Sequence, residues 1–114
     1  MRTILIALFS LCASCASSPD VEAYRLALWN FHYESDKENE YRIYDSISSH
    51  FVGDCEDFAF TLAQRIGGNV WHIILPDGGR HAALVKSGIV YDNRSRQPIE
   101  KSQYQGEFIY IMQP

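Results

Sequence analysis

A chain of 114 residues has room for one domain. With 46% hydrophobic and 13% aromatic residues it has a core to bury, which excludes a disordered tail. A formal charge of −4 repels phosphate and argues against nucleic acid, and no apolar run reaches the ~18 residues that would span a membrane.

The chain opens with one cation, Arg2, followed by apolar residues 4–11 and then Cys12-Ala13-Ser14-Cys15. A positive start, a short apolar stretch and small residues behind it make an export signal rather than a folded element. The Cys12–Cys15 segment resembles the lipobox of bacterial lipoproteins, with Cys12 where Leu is usual. That resemblance implies lipidation at Cys15 and a lipid anchor to a membrane. Cleavage after Ala16 by an ordinary signal peptidase is the other reading. Residues 1–15 are then a signal peptide, 16–19 a short tether and 20–114 the domain. Either way the body is expected in the cell envelope or periplasm.

Residues 20–33 place Val21, Tyr24, Leu28 and Phe31 at helical spacing, and Pro19-Asp20 supplies a start signal. Residues 34–40 are charged and aperiodic, as a solvated loop would be, and residues 41–51 are ambiguous. From Cys55 to Ile66 the apolar residues Phe58, Ala59, Leu62, Ala63 and Ile66 predict a second helix, ended by Gly67-Gly68. Strands are expected at 69–75, 81–86, 89–92 and 107–112, with turns at 76–79 and at Ser87-Gly88. The fold class is therefore α+β, with helices first and an antiparallel sheet after.

Chemistry concentrates at Gly53-Asp54-Cys55-Glu56-Asp57. With Asp54 as N-cap accepting from the Asp57 N–H, Cys55 takes the first helical position. There the helix dipole should lower a thiol's pKa and spare N–H groups could hold an oxyanion, while the flanking carboxylates oppose a thiolate. Acids also enrich the first turn of many helices, so capping alone is the plain alternative. A nucleophile needs a base and the base an orienting group. His81 begins a strand and Asp92 ends its hairpin partner. A two-residue or a four-residue loop keeps them on one face, whereas a three-residue loop without a bulge separates them.

His72, between Val70 and Ile74, reads as a hydrogen-bonded core residue. His32, on the first helix, and His50 have no carboxylate at an orienting spacing. One Cys and scattered His give no zinc pattern.

Gly-Asp-Cys-Glu-Asp-Phe-Ala, then His81-Ala-Ala-Leu-Val85, then Val90-Tyr-Asp-Asn93 resemble the bacterial transglutaminase-like cysteine proteinases, within the transglutaminase-like and papain-like superfamily. The resemblance covers residues 41–93. It implies a small papain-like domain with the nucleophile helix packed on an antiparallel sheet. It also implies Cys55 as nucleophile, His81 as general base and acid, Asp92 as the orienting group, and Asp54 with Glu56 as holders of Ca²⁺. The expected activity is cleavage of amide bonds in a protein or peptide substrate through a thioester. Transamidation of glutamine, or a non-catalytic envelope binding module, are the alternatives. Tyr44 is the side-chain candidate for an oxyanion donor.

Overall fold

The computed structural model describes residues 18–35 and 42–114. The leader, Cys15 and the charged loop lie outside the described residues, apart from the loop's first two positions. Helix α1 (Pro19–Asn30) starts with Pro at its first position, where a missing N–H costs nothing. Strand β1 (Phe31–Tyr33) follows directly, then β2 (Phe51–Gly53), helix α2 (Cys55–Ile66) and strands β3 (Asn69–Ile74), β4 (Arg80–Lys86) and β5 (Ile89–Tyr91). The chain ends with β6 (Ile99–Glu100), a 3₁₀ turn (Lys101–Gln103) and β7 (Glu107–Ile111).

The five strands β6-β5-β4-β3-β7 form one antiparallel sheet. Against its near face the two helices bury Tyr24, Phe58, Leu62, Val70, Leu84 and Tyr91. Its far face carries Ile73, Ala83, Val85 and Val90, covered by Trp71, Leu75, Tyr104 and Phe108. Strand β4 shows why both faces close: all residues from His81 to Val85 are buried, so each side of the pleat is packed. The expected α+β class, with a helix starting at Cys55 on an antiparallel sheet, is what the chain adopts.

The first helix ends sooner than its spacing predicts. Phe31 continues the helical stripe but turns extended, and residues 31–33 pair in parallel with residues 51–53. His32 is thus a strand residue, not a helical one. Phe31 still reaches the core, with its ring 5.0 Å from Phe58 and 5.3 Å from Phe51.

Candidate active site

Gly53-Asp54-Cys55-Glu56-Asp57 folds as a reciprocal cap. Asp54 Oδ1 accepts from the N–H groups of Glu56 (3.1 Å) and Asp57 (3.2 Å), and Asp57 Oδ2 accepts the Asp54 N–H (3.0 Å). Asp57 is wholly buried, and its other oxygen takes the Arg42 N–H at 2.5 Å. A Cβ on Gly53 would collide with the Asp57 carboxylate, which is why the motif opens with glycine. The helical ladder begins with Phe58 N–H to Asp54 O, at 3.1 Å. Three first-turn N–H groups are therefore spent on the cap and ladder. Cys55's own N–H is the one left over for an oxyanion.

The β4–β5 hairpin closes through the two-residue turn Ser87-Gly88, with φ of 51° and 75°, both in the left-handed region. Lys86 faces Ile89, Val85 faces Val90 and Leu84 faces Tyr91. Alternation then puts His81, Ala83 and Asp92 on one face, and His81 Nε2 meets Asp92 Oδ1 at 2.7 Å with both residues buried. Of the loops consistent with the sequence, the two-residue form is the one adopted.

Asp92 is held from four sides. Its Oδ1 also accepts the Arg94 N–H (3.0 Å), and its Oδ2 accepts the Tyr104 hydroxyl (2.5 Å). The Tyr24 hydroxyl, on α1, donates to the Asp92 main-chain carbonyl at 2.8 Å. Burial alone would raise this carboxyl, but the bonds and charge of His81, the Tyr104 hydroxyl and the Arg94 N–H together keep it below the usual carboxylate value. Asp92 is thus an anion that only accepts, so Nε2 of His81 carries a proton, and in the neutral imidazole Nδ1 is the atom with the lone pair. Tyr104 has no counterpart in the sequence reading. It follows the 3₁₀ turn, in a stretch with no periodicity, and its ring leans on Phe108 at 5.6 Å. Burial and its bond to Asp92 push its phenol up.

Cys55 lies at the start of α2, near enough to the N–H of Ala82, the residue after His81, for that dipole to favour its thiolate. The nucleophile candidate thus rests against the His81–Ala82 peptide. Cys55 and Asp54 also act on the phenol of Tyr33, raised first by burial and then by their charges; this half-exposed tyrosine stands near the sulfur. One expectation is reversed. The thiol is not lowered; burial pushes it up to about 11, the Asp54 and Glu56 carboxylates add to this, and the Ala82 and Glu56 N–H groups only partly offset them. Desolvation outweighs the helix terminus because a thiolate loses its water there.

The alkylation rate of Cys55 by iodoacetamide, followed on the Cys55 peptide by mass spectrometry, should therefore climb about tenfold per pH unit through neutrality. It should level off only near pH 11. Asp54→Asn keeps a capping oxygen but removes a charge, so it should shift that curve to lower pH and speed alkylation at neutral pH a few-fold. A plateau already reached at neutral pH would contradict this electrostatic picture.

Two other residues take different parts from those expected. The Tyr44 hydroxyl is committed to the Val52 carbonyl at 2.6 Å, so it props the strand before the helix instead of facing a substrate oxygen. His72 is half-buried and stacked on the ring of Tyr110 at 4.9 Å; it is an aromatic contact near a sheet edge, not a core hydrogen-bonder.

At the expected Ca²⁺ position, between Asp54 and Glu56, part of the local oxygen set is already engaged. Such an ion takes about six to eight oxygens, whereas Asp54 Oδ1 and both oxygens of Asp57 already accept backbone N–H groups. Among the described residues no three His, Cys, Asp or Glu side chains gather around a metal position.

The fold and site together define an α+β domain with a helix-start cysteine beside a buried His–Asp pair. No protein-family model matches the chain, and no curated protein matches it either.

Proposed function

We propose that the protein is an exported thiol enzyme that cleaves amide bonds with Cys55, His81 and Asp92, a transglutaminase-like cysteine peptidase. The observation that supports this reading is the His81–Asp92 bond at 2.7 Å, buried and braced by Tyr104, with the Cys55 sulfur near enough to the next N–H, of Ala82, to feel it. A merely structural histidine needs no such anchoring.

The chemistry follows from the proton positions. Cys55 rests as a thiol, so its proton passes to His81 Nδ1 as the sulfur attacks the substrate carbonyl. In this reading the Cys55 N–H meets the oxyanion, and the Asp92 charge stabilises the imidazolium. Collapse breaks the C–N bond, the amine leaves with the proton from His81, and a thioester remains. His81 then deprotonates water, which releases the acid and frees the thiol. An amine in place of water would give transamidation.

Peptide mixtures incubated with the full chain, with new termini read by mass spectrometry and a fluorescent amine as competing acceptor, test the reading. Cys55→Ala and His81→Ala should stay folded by circular dichroism and release no product, whereas His72→Ala should retain cleavage. Cleavage by folded Cys55→Ala, or equal losses for folded His72→Ala and His81→Ala, would overturn it.

A further inference from the structure

Three of the chain's ten basic residues, Arg25, Arg94 and Arg96, line one pocket of about 470 Å³ between α1 and the loop after β5. None of them is ion-paired among the described residues, although acids outnumber bases in this chain. Among the described residues the Arg25 guanidinium donates to Gln97 Oε1, at 3.4 Å. Trp29 lines the same pocket and is 87% exposed, which leaves an indole face open to a ligand. Asn93, also in the lining, has a buried side-chain oxygen with no hydrogen-bond partner.

Each feature narrows the ligand. Three cations with no counter-charge among the described residues call for carboxylate or phosphate. An exposed indole supplies flat contact area and a single N–H. An acceptor without a donor costs about 1–3 kcal/mol, and a turn of the Asn93 amide toward the pocket would let it take an N–H from the ligand. A peptide bearing acidic side chains brings all three, since its backbone carries the N–H. A bilayer surface is flat and would leave a concavity of this size unfilled, in the range of small-ligand sites.

We propose that the pocket formed by Arg25, Arg94, Arg96, Trp29 and Asn93 binds an acidic peptide segment. The site is tied to Asp92 through Arg94, whose N–H donates to the Asp92 carboxylate. Its binding does not depend on chemistry at Cys55, and the two readings stand or fall separately.

A fluorescein-labelled hexaglutamate peptide, blocked at both ends, is titrated into the full chain at low salt and followed by polarisation. A hexaglutamine twin and vesicles of anionic phospholipid serve as the other ligands. The glutamate peptide should bind at least tenfold tighter than its twin, and added salt should weaken it. Arg25→Gln and Arg96→Gln should each cost on the order of tenfold, with the circular dichroism spectrum unchanged. The same affinities should appear in Cys55→Ala, which separates binding from cleavage. Equal affinity for the two peptides would overturn the proposal, as would vesicle binding that needs these arginines without any peptide binding.

Discussion

Replacing Asp92 with alanine is expected to lower turnover by roughly three to four orders of magnitude. The carboxylate fixes the His81 tautomer, and without it Nδ1 is no longer reserved as the proton acceptor. The same change strands the His81 Nε2–H, the Arg94 N–H and the Tyr104 hydroxyl. Stability should then fall by about 3 kcal/mol, since each buried donor left without a partner costs about 1–3 kcal/mol and relaxation recovers part of it. Asp92→Asn is the informative companion. His81 and the Arg94 N–H both address Oδ1, so the amide oxygen takes that place and the Tyr104 hydroxyl rotates to accept from the amide nitrogen. Geometry survives while charge is lost, and activity should fall between wild type and alanine. Full activity in folded Asp92→Ala would remove Asp92 from the mechanism.

Asp92 also sets an acid limit. Its folded pKa lies below the ordinary carboxyl value of about 3.9, so its stabilising contribution is complete above that value and is lost as pH falls through the lower one. Denaturation midpoints measured downward from pH 5 should show that loss in wild type and lack it in Asp92→Asn.

The largest stability effect is expected at Asp57, which touches no substrate. Asp57→Ala removes the carboxylate that two part-buried backbone N–H groups, of Asp54 and Arg42, donate to, and opens the space that Gly53 keeps clear. Urea unfolding at neutral pH should report a loss of about 3–5 kcal/mol. A loss under about 1 kcal/mol would mean that water replaces the carboxylate at no cost. The acid-rich motif around Cys55 is thus partly architecture. One carboxylate caps, another anchors, and their collective charge is a burden the thiol carries.

What could be read along the chain was whatever local geometry determines. The Cys55–Ile66 helix follows from its three-and-four spacing and its Asp54 cap, and the His81–Asp92 pairing follows from strand alternation once Ser87-Gly88 is taken as a two-residue turn. What escaped depends on distant chain. Phe31 suits a helix stripe and a strand equally, and only its pairing with Phe51 decides. Tyr104 finds Asp92 twelve residues back, from a segment without pattern. The thiol was misjudged because its burial comes from the whole fold, whereas its position at a helix start is local.

The Tyr24 hydroxyl lies 2.8 Å from the Asp92 carbonyl and 2.5 Å from that of Ser95, contacts spanning 68 and 71 positions of chain. A ribosome delivers Tyr24 early, Cys55 midway and Tyr104 near the end. While the polypeptide is emerging, its cysteine therefore has neither an aligned imidazole nor a docked first helix. The closing of this long clasp brings the sulfur, its base and the base's anchor into register together. A half-made or trimmed chain in consequence carries a thiol with no imidazole aligned beside it and without the burial that holds it protonated in the folded domain.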